Sequence, residues 1–287
     1  MEIKVILSSD DNPVNQIKES LKILSQIESA FIKREEITLD FSEVPWILPC
    51  SVILISGKIM EILNQGASIK YVPPKEEKVK RWLSDVGFPL GKRTDGDTYV
   101  SIKHFANNPE DKNQVNKESN ELLKKMKDKI PEEFGSSVQY IIGELSDNID
   151  DHSRFTFASL MAQYYPRKEY MDIVVLDNGI SIPLLFEKNN IKFNKDSEAI
   201  LKAISGEITT KKNEKMRAWG LKSCKNIAIE EINGELHIIS RNGAIFIESK
   251  KKPELYDFDS NGLKGTFLYF RLKTPKKKVN IYPYLEG

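Results

Sequence analysis

Glu144-Leu-Ser-Asp-Asn148-Ile-Asp-Asp151-His152 and, further along the chain, Leu176-Asp177-Asn178-Gly179-Ile180 are the stretches that decide the fold. The first predicts a helix that carries an acid, an amide and a second acid on one stripe. The second predicts a buried strand that ends in a sharp glycine turn. A carboxylate and an amide at helical spacing suit a hydrated magnesium ion, and an aspartate beside a glycine turn suits the exocyclic amine of a purine. Together the two stretches predict a nucleotide pocket.

The helix around the first stretch is predicted from about residue 136 to 151, with two stripes. At about 100° per residue, its apolar residues form one stripe that faces a sheet. The polar stripe, a quarter turn away, would line the mouth of a cleft. Ordinary solvated polar residues at the same spacing are the alternative for an isolated helix. The apolar stripe is Val138, Ile141, Ile142, Leu145 and Ile149, and the polar one is Glu144, Asn148 and Asp151.

Bulk composition narrows the class of protein. The 287 residues are 40% hydrophobic and 30% charged, with a formal net charge of +1, so bulk charge gives no support to nucleic-acid binding. The cysteines, Cys50 and Cys224, lie in apolar stretches, which favours a reducing compartment over a disulfide framework. The most apolar stretch, Val44 to Ile55, is too short to span a bilayer. A cytoplasmic protein without a membrane segment is therefore expected.

The order of elements predicts α/β architecture throughout. Residues 1–90 alternate strand and helix signals and form a first domain, 91–118 a linker with a leading strand, and 119–287 a second domain. In the second domain helices come mainly first and strands dominate the end, which predicts a mixed sheet covered by helices on one face. Asn242-Gly243 predicts a tight hairpin between its last strands.

Glu144-x-x-x-Asn148 followed by Asp177-x-Gly179 resembles the ATP-binding domain of the GHKL superfamily, the Bergerat type of two-layer α/β sandwich. This superfamily includes gyrase-type topoisomerases, mismatch-repair ATPases, histidine kinases and anti-sigma-factor kinases. The resemblance implies that Asn148 holds Mg²⁺ on the phosphates of ATP and that Glu144 is the general base. It also implies that Asp177 accepts from the adenine amine, with Gly179 allowing close approach and Thr266 supporting the base through a shared water.

The resemblance extends to a lid segment before a helix opened by Gly220-Leu221, whose N–H groups would face phosphate. The family pattern is broken where Ser181 and Ala218 replace glycines, which removes permissive backbone positions. The remaining residues expected to contact ATP are Asp151, Ile182, Lys211, Lys212 and Arg217, with Lys215 in the same lid.

Residues 1–90 resemble STAS domains through Ile37-Thr-Leu-Asp40-Phe-Ser-Glu-Val44-Pro, the helix after it, and the strand Ala67–Val72. STAS regulators carry an Asp-Ser pair at the helix start, with the serine as phosphoacceptor. Leu48-Pro49-Cys50-Ser51 stands there instead, so a docking domain that is not phosphorylated is expected. The resemblance implies a protein partner at this domain, and a homodimer is a further expectation.

Three activities remain open from the sequence. The first is a Mg-ATP-binding regulator with slow ATPase or phosphotransfer activity that controls partner contacts. The second is a non-catalytic, ATP-gated interaction module, favoured by the missing glycines. The third is a serine/threonine kinase of the anti-sigma-factor type acting on a STAS partner. Autophosphorylation on His104 is not expected, because its surroundings alternate like a strand.

Overall fold

The computed structural model describes residues 1–91, 94–106, 129–150, 154–206, 220–259 and 262–285, together with 117, 119, 120 and 124. In these residues the chain forms an N-terminal parallel α/β unit followed by an antiparallel seven-stranded sheet with helices. This confirms the mixed α/β architecture and the order of its parts. None of the helices in these ranges has the length and apolar character needed to cross a membrane.

The N-terminal unit is a three-stranded parallel sheet with helical crossovers. Asn12 caps its first helix by accepting from the backbone N–H groups of Val14 and Asn15, and Pro13 occupies the first helical turn. The strands lie in the order β1-β2-β3. The elements are β1 (Glu2–Lys4), α1 (Pro13–Ile32), β2 (Ile37–Asp40), α2 (Pro49–Asn64), β3 (Ile69–Val72) and α3 (Glu77–Asp85).

The C-terminal sheet has the strand order β4-β5-β6-β10-β7-β8-β9, with antiparallel neighbours. Its strands are β4 (Tyr99–Ala106), β5 (Phe157–Tyr165), β6 (Tyr170–Asp177), β7 (Glu235–Arg241), β8 (Gly243–Glu248), β9 (Glu254–Asp257) and β10 (Leu263–Lys273). Its helices are α4 (Ser137–Asn148), α5 (Ile182–Lys188), α6 (Asp196–Ser205) and α7 (Gly220–Asn226), the last continued by a π-helical segment, Ile227–Glu231.

Both faces of this sheet are buried. Along β6, Ile173 and Val175 belong to a core shared with α4, α6 and α7, whereas Val174 and Leu176 belong to a core shared with α1 and α2. Successive side chains of a strand point to opposite faces, so the sheet is the middle layer between two sets of helices. The predicted helical layer is therefore present. The prediction of a mixed sheet covered on one face is wrong, because the described strands pair only with antiparallel neighbours and the N-terminal unit covers the second face.

Helix α2 is buried almost all round its first two turns, from Pro49 to Gly57. A helix that is apolar on every side belongs between layers, because a surface helix needs a polar face. Here α1 and the parallel sheet lie on one side of α2, and β5 and β6 lie on the other. The apolar stretch that the sequence analysis found too short for a membrane thus fills the middle of the protein.

A buried ion pair ties the two parts together at one end of the sheet. The Arg271 guanidinium on β10 donates from Nε and Nη2 to the two carboxylate oxygens of Asp172 on β6, at 2.9 and 3.0 Å. Nη1 donates to the backbone oxygen of Asp11, in the loop before α1, at 2.8 Å. The Tyr170 hydroxyl donates to the Asp11 carboxylate, and its ring lies under the guanidinium. This cluster anchors the α1 entry loop to the sheet.

The hairpin between β7 and β8 differs from the prediction by one residue. Ser240 pairs with Gly243, so the loop residues are Arg241 and Asn242, and Arg241 has a φ of 55°. A Cβ at Gly243 would overlap the backbone of Asp196 at the start of α6. The glycine is therefore used for close packing of strand against helix, and the turn itself falls one residue earlier.

The remaining boundaries follow the predictions within a few residues. The helix predicted from 136 to 151 is α4, and the helix predicted from Leu221 begins at Gly220. The helix predicted over 116–129 falls mainly outside the described residues, as do Lys92, Arg93 and 107–116 of the predicted linker. The leading strand of that linker is β4, which joins the C-terminal sheet as an edge strand.

Candidate functional site

Asp177 is the last residue of β6 and lies on the sheet face that packs against α4. Its partners in register are Ala158 on β5 and Thr266 on β10. The carboxylate is 4% exposed and accepts from Gly179 N at 2.8 Å. Burial raises the pKa of Asp177 to about 7, although the backbone N–H groups of Gly179 and Thr266 act in the opposite direction. This carboxyl group therefore changes protonation near neutral pH.

Thr266 and Ser240 extend this polar row across two more strands. Thr266, predicted to support a base together with Asp177, lies directly opposite it, and Ser240 of β7 lies on its other side. The Thr266 and Ser240 hydroxyl oxygens are 3.0 Å apart. Ser240 Oγ also accepts from the backbone N–H of Ile182, at 2.9 Å. The row thus links three neighbouring strands to the first residue of α5, which explains how Ile182 reaches the site through its backbone.

Gly265 is the position where close backbone approach is required. A Cβ there would overlap the carbonyl oxygen of Asp177 and would lie 2.7 Å from Gly179 N. Substitution would therefore push β10 away from the turn that follows β6. The sequence analysis assigned close approach to Gly179, which donates to Asp177, and the structure adds Gly265 on the neighbouring strand.

Glu144 lies on α4, one turn before Asn148, and both side chains are half-buried. The Glu144 carboxylate rests against Gly220, the first residue of α7, because a Cβ at Gly220 would overlap Oε2 and lie 2.9 Å from Cδ. A negative charge is favourable at the start of a helix, where backbone N–H groups are unpaired. The predicted general base and the predicted start of the post-lid helix are therefore brought together.

Two residues around Glu144 were not predicted. Tyr140, one turn earlier on α4, hydrogen-bonds to Glu144 and Ser223, and its pKa is raised first by burial and then by the Glu144 charge. Burial, followed by the Glu144 charge, also raises the pKa of the Cys224 thiol well above its usual value. The i, i+4 spacing of Tyr140 and Glu144 was visible in the sequence, but the approach of α7 was not.

Other residues missed by sequence reasoning cluster at the turn after β6. Ser181 is the N-cap of α5 and accepts from Leu184 N at 3.3 Å. Ser240 breaks the apolar alternation Leu236, Ile238, Ser240 on an inward face of β7. A polar residue at the end of such an alternation is a signal that could have been used.

Several predicted site residues lie outside the described residues. They are Asp151, Lys211, Lys212, Lys215 and Arg217. Leu221 is described: it follows Gly220 in α7 and packs, half-buried, against the core under α4. The predicted lid contacts to phosphate therefore remain predictions.

The side chain of His104, where autophosphorylation is not expected, contacts two serine hydroxyl groups. His104 on β4 lies between Ser159, at 2.8 Å from Nδ1, and Ser56 of α2, at 3.1 Å from Nε2. Ser56 also donates to the backbone oxygen of Pro89. Burial lowers the pKa of His104 to about 4, so the ring is neutral at physiological pH. Its contacts join the N-terminal unit to the edge of the sheet.

Ser51, near the start of α2, is fully buried. Its hydroxyl accepts from Ser20 Oγ at 2.8 Å and contacts Gln16 on α1. A kinase needs an exposed hydroxyl, so in this folded state Ser51 is closed to phosphorylation.

Residues available for a nucleotide and its metal have suitable chemistry. The Asp177 carboxylate is an acceptor suited to the exocyclic amine of a base, and the Thr266 and Ser240 hydroxyls are groups that can both donate and accept. For Mg²⁺, the described residues contain no group of three His, Cys, Asp or Glu side chains that could hold a metal. Magnesium is commonly held by substrate phosphates, waters and one or two side chains. Asn148 is the candidate ligand on α4.

Comparisons with protein-family models, with curated proteins and with solved structures each gave no match. What the structure establishes is an α/β protein with a parallel N-terminal unit and an antiparallel, helix-covered sheet.

Proposed function

We propose that this protein binds Mg-ATP between α4 and the ends of β6, β10 and β7, and that the bound nucleotide regulates its contacts with a protein partner. The observation that carries the proposal is the row of Asp177, Thr266 and Ser240, aligned in register across adjacent strands. This row lies on the face of the sheet that α4 covers, and α4 carries Glu144 and Asn148.

The adenine base would donate its exocyclic amine to Asp177, and the hydroxyl row would hold water or ring nitrogens beside it. Glu144 would orient or deprotonate a water or a hydroxyl that attacks the terminal phosphate. Asn148 would hold the magnesium ion, whose chemistry when bound is to neutralise charge on the phosphates. Turnover would be slow, because Ser181 and Ala218 replace glycines of the family pattern.

A second candidate is an ATP-gated module without turnover, with the N-terminal unit presenting the partner surface. The placement of Glu144 against Gly220 favours it. The Glu144 carboxylate occupies the space beside Gly220 that a triphosphate would otherwise approach. In this function, nucleotide binding alone would displace Glu144 and change the surface around α7.

Calorimetric titration with ATP and magnesium tests the binding proposal. Asp177→Asn removes a charged acceptor, and a lost hydrogen bond to a charged group corresponds to roughly tenfold weaker binding or more. Asp85→Asn, on the exposed end of α3, is the matched control and should bind like the unchanged protein. Equal affinity of the Asp177 variant and the control would remove Asp177 from the site.

Glu144→Ala separates the two candidates. If Glu144 is a general base, hydrolysis of labelled ATP should fall by about a hundredfold or more while ATP still binds. Identical turnover in the variant and the unchanged protein would remove the catalytic role. No turnover in either protein, with binding intact, would favour the gated module.

A further inference from the structure

The second half of α2 packs behind the strand ends that carry the proposed base-binding residues. Gly57 and Glu61, one turn apart on α2, face Leu176 of β6 and Lys264 of β10. Leu176 precedes Asp177, and Lys264 precedes Gly265 and Thr266. The N-terminal unit thus contacts β6 one residue before Asp177 and β10 two residues before Thr266, from the face of the sheet opposite the polar row.

At Gly57 the contact is backbone against side chain. A Cβ there would overlap Leu176 Cδ2 and would touch the Phe157 ring at 3.7 Å. Leu176 is buried and belongs to the core shared with the N-terminal unit. Because the interior is close-packed, a change in the distance between α2 and β6 must move Leu176, and with it the backbone of Asp177.

At Glu61 the contact is an ion pair with Lys264. Lys264 Nζ lies 2.6 Å from Glu61 Oε1, and Lys58 Nζ lies 2.9 Å from Glu61 Oε2. Lys58 also pairs with Glu28 of α1, so the chain of charges runs from α1 to β10. Burial would raise the pKa of Glu61, but the hydrogen bonds and charges of Lys264 and Lys58 together lower it. The Glu61 side chain is 16% exposed and the Lys264 side chain is 64% exposed, so solvent reaches the pair from the lysine side.

A small cavity, about 40 Å³, separates these contacts. It is lined from one side by Gly57, Lys58 and Glu61, and from the other by Asp177, Asn178 and Gly265. The cavity is small beside the contacts at Gly57 and Glu61, so α2 and the strand ends stay in contact around it. A shift of the strand ends at Asp177 would therefore also change the packing of α2 against the sheet.

We infer that Gly57 and Glu61 are positioning residues for the nucleotide site, an inference that rests on the proposed function. Gly57 holds Leu176, and Glu61 holds Lys264, so that Asp177 and Thr266 stay at the spacing that the base needs. Because coupling between two sites is reciprocal, nucleotide binding must in turn tighten the packing of α2 on the sheet. The N-terminal unit would then register the nucleotide state directly through the sheet.

The test measures ATP affinity by calorimetry in the full chain. Glu61→Gln and Lys264→Gln should each weaken binding roughly fivefold, at the low end of typical coupling between sites. The double variant should be no weaker than either single one, because both changes break the same contact. Glu36→Gln, which breaks an exposed pair with Lys70 in the same unit, is the matched control and should leave affinity unchanged.

A second pair of variants addresses Gly57. Gly57→Ala should weaken ATP binding, and adding Leu176→Val, which removes the overlapping methyl group, should restore it. Hydrogen exchange supplies a readout that a purely structural role would not move: ATP should slow exchange of α2 amides in the unchanged protein but not in Glu61→Gln. Unchanged affinity in Glu61→Gln, with ATP binding and α2 exchange as in the parent, would overturn the inference and leave the proposed function standing. Failure of the unchanged protein to bind ATP would instead overturn the proposed function.

Discussion

Acidification should weaken the folded protein through His104. The ring is half-buried between α2 and β5, its two nitrogens lie within hydrogen-bond distance of Ser56 and Ser159, and the Phe157 ring lies 5.2 Å away. Ser56 gives its proton to Pro89 O, so it accepts from the ring, and Ser159 donates to the other nitrogen. A second ring proton would remove an acceptor and place a charge in this environment.

The size of the effect follows from the pKa in the two states. Burial lowers the pKa of His104 from 6.5 to about 4. Between these values the unfolded chain binds more protons, so stability present above pH 6.5 is lost progressively as the pH falls toward 4. The whole difference corresponds to roughly 3 kcal/mol, of which about 2 kcal/mol is lost by pH 5.

Urea unfolding at pH 8 and pH 5, followed by tryptophan fluorescence, measures this loss. His104→Gln keeps a donor and an acceptor but does not titrate, so its stability deficit relative to the parent should shrink by about 2 kcal/mol at pH 5. Asp177→Asn is an internal control of opposite sign. The folded-state pKa of Asp177 is raised to about 7, so its contribution is full below pH 3.8 and is lost as the pH rises through 7. A deficit of His104→Gln that is the same at both pH values would refute the reasoning.

Three further results are expected. Gly265→Ala should lower stability by about 1–3 kcal/mol in urea unfolding because the methyl group overlaps the backbone of Asp177, whereas Gly143→Ala, in open space on α4, should raise it by up to about 1 kcal/mol. Arg271→Met should cost about 3–5 kcal/mol by leaving Asp172 buried and unpaired, and the double change with Asp172→Leu should recover most of that loss in the same assay. ATP affinity, measured by calorimetry, should rise close to tenfold per pH unit up to about pH 7, since only ionised Asp177 accepts fully from the base, and the slope should vanish in Asp177→Asn.

The sequence was informative where the signal is local. The run from Tyr170 to Asp177 is continuously buried, and such an apolar run bounded by a turn predicts an interior strand and its last residue. Helix α4 was predicted from its apolar stripe for the same reason, since helical periodicity needs only a dozen neighbouring residues.

Local sequence patterns could not predict which residues pair across neighbouring strands. That Thr266 lies opposite Asp177 was implied by the family resemblance, and nothing in either strand specifies the register by itself. Ser240 was missed because its partners, Thr266 and Ile182, come from distant parts of the chain. The shift of the β7–β8 turn had a similar cause: the glycine at 243 is needed for close packing against α6, and the turn of the hairpin falls elsewhere.

The third layer could have been expected from α2. The first two turns of α2 are buried on every side, whereas a helix on the surface of a two-layer domain has a polar face. The sequence analysis used that stretch only to reject a membrane span, and so left the second face of the large sheet uncovered.

The core shared by α1, α2 and one face of the large sheet makes each part of the protein depend on the other for its stability. Ile17 and Leu54 of the N-terminal unit lie in the same apolar interior as Val174 and Phe267. Cleavage after residue 91 would expose a large apolar surface on each fragment, so neither fragment should be recovered in solution. Because the two halves share one core, genetic recombination is expected to keep them together in one chain.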